Sequence, residues 1–361
     1  MKHPLKLKWS RRVVFWLVNA LLAVLCAGCL LWEQQVAGTL TTLDAARTWR
    51  GENEMRFSQL ACYFPRQSML RETDVLTFRE TLSGKLLEAS LEPSENGALY
   101  TDAYYGDGTI SVSTERARAS GVQAFGVSGD FFRFHPLTLR SGNYLSDSDL
   151  MKDRVLLDET LAWTLFGGMD LAGMSVTIDG SSYYVAGVVC MEDDTYSTLA
   201  NDASAGTIFL SYSALEEIQG SLEVSGYELV APEPITGFAK GLVEEHLPMD
   251  GAALLDNGSR YSFSNLMAVA GDFGKRSMGR SGIIFPYWEN ALRMTEDLAS
   301  LGLVLALVLG ALPCVSLLVL GIRQLVRLLR RLKATLSRRI STGMEQAREK
   351  KWEKSRQKKE D

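Results

Sequence analysis

Histidine, the residue that most often acts in acid–base catalysis, is rare in this sequence, and its copies lie far apart. The three histidines, His3, His135 and His246, fall in three different segments. The sequence contains neither the G-x-S-x-G turn of a serine hydrolase nor the H-E-x-x-H helix of a zinc protease. His135 follows an aromatic run and precedes Pro136, so we interpret it as a residue at the junction between two lobes rather than as a metal ligand or general base. The sequence therefore predicts a protein that is not an enzyme.

One acidic cluster, Glu192-Asp193-Asp194, is the strongest candidate for metal binding. Carboxylate oxygens are the ligands that Ca²⁺ prefers, but the cluster lacks the regular ligand spacing of an EF-hand loop. We therefore interpret it as a solvated acidic loop, and Asp147 and Asp149 as turn and helix-capping residues. Gly274-Lys275-Arg276 lacks the upstream glycine and the hydroxyl of a phosphate-binding loop. The sequence predicts neither a metal nor a cofactor.

Charge is sorted along the chain in a way that a soluble enzyme has little reason to adopt. The chain carries 38 basic and 43 acidic residues. Five basic and no acidic side chains lie within residues 1–12, and residues 323–361 hold fourteen basic against five acidic ones. The 19 basic and 38 acidic residues between these ends make the middle strongly acidic. Lys and Arg at both ends are typical of cytoplasmic termini.

Two uncharged apolar runs, Val13–Trp32 and Leu298–Ile322, separate these regions. At about 1.5 Å per residue, the first run spans roughly 30 Å, the thickness of the bilayer hydrocarbon. A basic start and an apolar core also describe a signal peptide, but the length of the run favours an uncleaved helix. We predict a protein of the plasma or inner membrane that crosses it twice. The predicted segments are a cytoplasmic N-terminus (1–12), a first transmembrane helix (13–32), an extracytoplasmic domain (33–297), a second transmembrane helix (298–322) and a basic cytoplasmic tail (323–361).

The acidic middle alternates between helical and strand patterns, which predicts an α+β ectodomain between the two transmembrane helices. One β-α-β unit precedes residue 129 and a second follows residue 222. Two such units commonly pair into a porter-like sandwich, and the β-rich residues 129–222 would form an inserted lobe. Tyr100–Ser113 is predicted to be a hairpin that turns at Tyr105-Gly106-Asp107-Gly108. Residues 257–285 carry no clear pattern, and Pro286 is well placed to start a long helix that runs into the membrane.

Residues 126–189 carry several motifs in a specific order and spacing. GVSGDFFRFHPLTLRSGNYL is followed by DRVLLDETLAWTLFGGMDLAGMSVTIDGSSYYVAGVV. This stretch resembles the periplasmic core domain of MacB-type ABC transporter permeases, in the MacB/FtsX-like family. The positions that match the family pattern are Gly126, Ser128, Asp130, Phe132, Ala162, Leu165-Phe166-Gly167 and Val185-Ala186-Gly187-Val188. Gly142 stands where the family has a Gly-Arg pair, and Asn143 replaces the arginine.

The chain departs from this family after its second apolar run. Such permeases have four membrane helices, and the second leads into a cytoplasmic coupling element. Here Gly321-Ile322-Arg323 is followed by QLVRLLRRLKATLSRRI, without the coupling sequence or the remaining permease helices. The resemblance thus implies a non-catalytic subunit or accessory of an ABC-transporter-like assembly, whose ectodomain binds a substrate or partner and couples to an ATPase on a separate chain. The alternative is a stand-alone membrane receptor or scaffold that reuses this ectodomain.

Four residues are predicted to make contacts between the membrane helices. Asn19 and Ser316 would lie at similar depth in antiparallel helices, so we expect them to contact each other or a partner helix. Ala306-x-x-x-Gly310 is a small-residue face suited to close packing, although chance explains it equally well in a helix rich in Ala and Leu. Outside the membrane runs, Cys62 and Cys190 form either one disulfide or two buried thiols.

The cytoplasmic tail begins with a basic amphipathic pattern. Leucines recur every three or four residues, and cations occupy much of the remaining surface. The predicted docking residues are Arg323, Arg327, Arg330, Arg331 and Lys333. Such a helix can lie on anionic lipid or dock in an acidic protein groove; the alternative is charge that only sets topology. Predicted partners are membrane lipid and a separate ABC ATPase or permease chain, with a homo-oligomer left open and nucleic acid not expected.

Overall fold

The computed structural model describes residues 10–52, 54–91, 97–276, 279–280 and 282–360. Lys2, Lys6 and Lys8 of the predicted cytoplasmic N-terminus therefore lie outside the described residues. One compact unit comprises Glu33–Leu301, and the helices on either side of it in sequence form a second. The two units are described separately.

The described residues contain ten α-helices, two 3-10 helices (Thr41–Leu43 and Phe273–Lys275) and twelve strands. The helices are α1 (Arg11–Ala37), α2 (Ala45–Arg50), α3 (Glu72–Glu88), α4 (Phe131–Phe134), α5 (Glu159–Phe166), α6 (Thr195–Ala200), α7 (Tyr212–Gln219), α8 (Phe238–His246), α9 (Phe263–Asp272) and α10 (Tyr287–Glu360). The strands are β1 (Phe57–Tyr63), β2 (Thr101–Ser113), β3 (Arg118–Gly129), β4 (Thr138–Gly142), β5 (Arg154–Asp158), β6 (Ser175–Ile178), β7 (Ser181–Cys190), β8 (Thr207–Ser211), β9 (Gly226–Pro232), β10 (Ala253–Asp256), β11 (Gly279–Arg280) and β12 (Ile283–Ile284).

A ten-stranded sheet in the order β10-β1-β9-β2-β3-β8-β5-β7-β4, with β6 beside β2 and β7, organises the ectodomain. The predicted units β1-α3-β2 and β9-α8-β10 interleave, because β1 lies between β10 and β9. The inserted residues supply the other half of the same sheet, which begins where β8 pairs in parallel with β3. The predicted α+β class is confirmed, and the inserted lobe is hydrogen-bonded to the first half rather than set apart from it.

Two apolar clusters cover the two faces of this sheet. Alternate residues of β1 point to opposite faces, so Leu60 and Cys62 belong to one cluster and Ala61 and Tyr63 to the other. The first cluster is covered by helices α3, α5, α7 and α8. The second is covered by α2, α4 and the first turn of α10. All five cysteines are free thiols, so the structure has no bridge between Cys62 and Cys190.

The predicted hairpin at residues 100–113 is wrong, because β2 runs without a turn from Thr101 to Ser113. Its glycines serve close packing instead. A side chain at Gly106 would lie 2.6 Å from Cγ of Leu222, and one at Gly108 would lie 1.8 Å from Nε2 of Gln219. The glycines that suggested a turn are therefore needed where α7 and the chain after it cross the strand.

Gly142, at the end of β4, is a position where a side chain should be costly. Its φ is +74°, and an added Cβ would lie 2.1 Å from the carbonyl oxygen of Ala186. We expect Gly142→Ala to lower the free energy of unfolding by about 2–4 kcal/mol, because left-handed strain and a backbone clash act together. Gly121→Ala is the matched control: φ there is +73° with nothing within 4 Å, and about 1 kcal/mol is expected. Equal losses in urea titrations of the two variants would contradict the clash.

Asp158 should make the ectodomain less stable as the pH rises. Its side chain caps α5 by accepting a hydrogen bond from the amide of Leu161 (2.7 Å), and burial raises the pKa of this carboxyl to about 6. The folded state keeps the proton up to that pH while the unfolded chain releases it near pH 4, so stability is highest below about pH 4 and falls through about pH 6. Asp158→Asn should retain the cap and remove up to about 3 kcal/mol of this pH dependence. If the free energies of unfolding of wild type and Asp158→Asn change in parallel between about pH 4 and about pH 6, the role of Asp158 is contradicted.

Candidate transmission site at the start of helix α10

Helix α10 joins the ectodomain to the second apolar run without a break. Pro286 directly precedes its first residue, Tyr287, as the sequence predicts. The helix then passes through the ectodomain core, includes Pro313 and continues to Glu360. Among the described residues, Arg11–Ala37 and Tyr287–Met344 are long and apolar enough to cross a membrane. The first turns of α10 and the second apolar run thus belong to one continuous helix.

Trp288 anchors the first turn of α10 in the second apolar cluster. The side chain is 2% exposed. Its ring lies 5.1 Å from that of Tyr105, 5.2 Å from that of Phe125 and 4.4 Å from that of His135, measured between centroids. Because Tyr105 and Phe125 belong to β2 and β3, this side chain packs against the centre of the sheet.

His135 lies between the sheet and α10, and its interpretation as a residue at the junction of two lobes stays a prediction. Its Nε2 atom is 2.6 Å from Oε2 of Glu228, a buried residue of β9. The ring also packs against Phe131 and Trp288, with centroid distances of 4.6 and 4.4 Å. A carboxylate that holds one imidazole nitrogen fixes the orientation of the ring, so this pair supports the packing around Trp288.

A buried ion network surrounds the next two turns of α10. Its ion-paired members are Arg260, Arg276, Glu289, Glu296 and Asp297. Arg260 donates to both carboxylate oxygens of Glu289, at 3.3 and 2.8 Å, and also lies 3.6 Å from Glu296. Arg276 contacts Glu296 and Asp297, at 2.7 Å each. Two arginines therefore pair with three carboxylates around one helix.

The electrostatics of this network make its geometry specific. Arg260 and Glu289 are 2% and 0% exposed, and burial raises the pKa of the Glu289 carboxyl while the adjacent Arg260 charge opposes that shift. Tyr63 also donates to Glu289, at 3.3 Å. A buried charge without its partner is costly, whereas a bidentate pair is well satisfied in one relative position only. The network therefore fixes α10 to the segment at residues 260–276 and to β1.

A cleft of about 380 Å³, here termed the α10 cleft, opens beside the first turns of α10. Its walls come from β2, β3, the loop after α6 and the start of α10. Among the described residues, the hydroxyl of Tyr105 and Oδ1 of Asn290 are buried atoms of this lining without a hydrogen-bond partner. Aromatic walls with unsatisfied polar atoms are typical of sites that orient a small ligand. A molecule bound there would touch the sheet and α10 at once.

The acidic residues considered as metal ligands have other partners in the structure. Asp194 caps α6 by accepting from the amides of Tyr196 and Ser197, at 2.9 and 3.0 Å. Glu192 accepts from the hydroxyl of Tyr287, at 2.8 Å. Asp147 accepts from the amide of Gly129 (2.7 Å), and Asp149 pairs with Arg154 (3.4 Å). Within the described ranges, no three His, Cys, Asp or Glu side chains cluster as metal ligands do.

Two of the four predicted helix-contact residues, Ala306 and Gly310, adjoin Cys26 of the other helix. Cys26 of α1 donates to the carbonyl oxygen of Ala306 (3.2 Å), and a side chain added at Gly310 would lie 3.1 Å from Sγ of Cys26. Asn19 and Ser316 are 5% and 9% exposed. The amide of Asn19 donates to the carbonyl of Phe15 in its own helix (2.9 Å), so its contact with Ser316 stays a prediction.

The predicted docking residues Arg323, Arg327, Arg330, Arg331 and Lys333 lie on the continuation of α10, all exposed. Their role also stays a prediction. Sequence reasoning did not identify the ion network or Glu228. Glu289, Arg293 and Glu296 recur at i, i+4 and i+7 just before an apolar run, which is a signal that one face of the helix is charged and needs partners. The partners themselves come from a segment without periodicity.

Comparison with known proteins finds similarity between part of the ectodomain and one family of periplasmic domains. Residues 59–235 match the MacB-like periplasmic core domain. A similar solved structure is the periplasmic region of MacB from Actinobacillus actinomycetemcomitans, with 14% identity, a TM-score of 0.41 and coverage of 61% of this chain and 94% of that one. Another is the extracellular domain of the noncanonic ABC-type transporter YknZ from Gram-positive bacteria, with 14% identity, a TM-score of 0.38 and coverage of 55% and 100%. No curated protein matches the chain.

Proposed function

We propose, from the premise that residues 59–235 form a MacB-like periplasmic core domain, that the chain is a non-catalytic membrane subunit of an ABC-transporter-like assembly. Its ectodomain would bind a substrate or partner outside the cytoplasm, and α10 would carry the resulting movement across the membrane to an ATPase on a separate chain. The observation that carries this proposal is the buried attachment of α10 to the sheet through Trp288 and the ion network.

The proposed topology has both termini in the cytoplasm and residues 33–297 outside. It is supported by the two apolar helices and by the basic residues that flank them. A membrane-impermeant cysteine reagent applied to intact cells tests it with single cysteines introduced near Asp194 and near Lys354. Labelling is expected only near Asp194. Protection there together with labelling near Lys354 would reverse the topology and remove the basis for an external binding domain.

We propose the α10 cleft as the external binding site, because a ligand there would bear directly on the transmitting helix. Asn290→Leu removes Oδ1, which has no hydrogen-bond partner among the described residues, together with the hydrogen bond that Nδ2 donates to the carbonyl oxygen of Phe285 (3.0 Å). In cells that depend on the assembly for export or resistance, the Asn290→Leu variant should be present at a normal level but should support less export or resistance than wild type. Leu150→Ala, at a residue that is 93% exposed, is the control. Full function of Asn290→Leu would direct the search to another surface.

The helix pair would keep α1 and α10 moving together. We expect Gly310→Leu to weaken this packing by about 1–3 kcal/mol, because the added side chain meets Cys26. Gly321→Leu is matched in residue type and helix, with nothing within 4 Å of an added Cβ. The measurement is the concentration of sodium dodecyl sulfate that unfolds the full chain when it is titrated into protein held in a mild detergent. Equal sensitivity of the two variants would contradict the proposed packing face.

The identity of the partner separates the proposed function from its alternative. Crosslinking in native membranes, followed by identification of the attached chain, is expected to recover an ABC ATPase or a full-length permease. Replacement of Arg323, Arg327 and Arg330 by glutamate should abolish that capture if the basic tail docks on the partner. Recovery of a cytoplasmic regulator without any transporter component would favour the stand-alone receptor or scaffold.

A further inference from the structure

Helix α9 and the turn after it present apolar side chains to the outside of the ectodomain. Phe263 and Phe273 are each 61% exposed, and Met267 is 38% exposed. Leu266 and Val269, on an adjacent face of the helix, are 1% and 4% exposed and pack inward. Large exposed apolar residues grouped on one element mark a surface that another apolar phase covers.

Contacts with α10 show which of its residues lie beside residues 261–276. The hydroxyl of Tyr261, just before α9, lies 2.6 Å from Oγ1 of Thr295, and Ser300 donates to the carbonyl oxygen of Leu266 at 2.8 Å. From Thr295 to Ser300 a helix advances by about 7.5 Å. After α9 the chain returns, because Arg276 pairs with Glu296 and Asp297.

Within residues 261–276, α9 therefore lies beside the first residues of the apolar run. Ser300 is the third residue of Leu298–Ile322, so α9 lies beside the level at which α10 passes from the ectodomain into hydrocarbon. Lys275, 85% exposed, follows Phe273 closely and has the length to reach lipid phosphates while its stem stays near the apolar layer.

We propose that Phe263, Met267 and Phe273 insert into the outer surface of the lipid bilayer and form an interfacial foot for α10. The inference rests on the proposed crossing of the membrane by residues 298–322. Lipid is the occupant favoured by continuity, because the exposed apolar face adjoins the level at which α10 itself enters lipid. The hydrogen bond from Ser300 couples this foot to α10, so it would set how α10 is held at the membrane surface.

Photocrosslinking to lipid tests the proposal with the full chain in nanodiscs of phosphatidylethanolamine and phosphatidylglycerol. The photoreactive amino acid p-benzoylphenylalanine is placed singly at position 267, 273, 312 or 150. Leu312 lies in the apolar run with 44% exposure, and Leu150 lies between β4 and β5 with 93% exposure. Mass spectrometry of the peptides is expected to find lipid adducts at positions 267, 273 and 312 and none at 150.

The outcomes distinguish this proposal from the one on which it rests. Lipid adducts at 312 without adducts at 267 and 273 would overturn the interfacial foot and leave the membrane crossing intact. Adducts from 267 or 273 to protein instead of lipid would also overturn it, in favour of a partner or a second copy. The absence of lipid at 312 would contradict the crossing itself. An equal yield of lipid adducts at positions 150 and 273 would also overturn the proposal, because any exposed position would then react with lipid.

Discussion

Replacing Arg260 by alanine is expected to lower the free energy of unfolding of the ectodomain by about 3–5 kcal/mol, because it leaves buried carboxylates without their main counter-charge. Glu289 is fully buried and receives two hydrogen bonds from this one guanidinium. Arg293 and Tyr63 remain nearby, but Tyr63 supplies only a single hydrogen bond, at 3.3 Å. Urea unfolding of the full chain in detergent, followed by circular dichroism, gives the loss.

Two further variants separate the charge effect from a general loss of side-chain volume. Arg260→Met together with Glu289→Gln removes both charges of the pair, and we expect it to cost less than Arg260→Ala alone. Arg47→Ala breaks an ion pair with Asp44 that is 3.0 Å long but 75% exposed at the arginine, so about 0.5 kcal/mol or less is expected. A loss below about 1 kcal/mol for Arg260→Ala would show that the network does not hold α10 through buried charge.

Local patterns in the sequence predict the regular elements of the ectodomain well. The alternation of strands and helices predicted before residue 129 and after residue 222 follows from periodicity and corresponds to β1-α3-β2 and β9-α8-β10. The junction from Pro286 into α10 follows from the position of the proline. These features depend on neighbours within a few residues of each other in the chain.

The transmission site depends on contacts that no local pattern contains. Arg260 and Glu289 are 29 residues apart, and α9, between them, lies in a segment whose Gly and Ser content hides its helical face. The glycines of β2 mislead for a related reason. In sequence they resemble a turn, and only the crossing of α7 and the residues after it shows that they make room for Leu222 and Gln219.

Replacing Trp288 by alanine is the second change for which we expect a large effect, a loss of about 3–5 kcal/mol in the free energy of unfolding. The side chain packs against rings from β2, β3 and α4 and against His135, so its removal leaves a cavity that these rigid neighbours fill poorly. The same change releases the first turn of α10 from the sheet. Hydrogen exchange should therefore rise in residues 287–297 even where the rest of the ectodomain stays folded.

Matched variants show whether this effect comes from the contact with the sheet. Trp163→Ala removes the same side chain at a site in α5 that is 63% exposed, and about 1 kcal/mol or less is expected. Trp288→Phe keeps an aromatic ring, and it loses no hydrogen bond because Nε1 of Trp288 has no partner among the described residues. It should therefore retain most of the stability and the protection of α10. Similar losses for Trp288→Ala and Trp163→Ala would mean that α10 is attached to the ectodomain mainly through its buried charges, because the aromatic anchor would then contribute little.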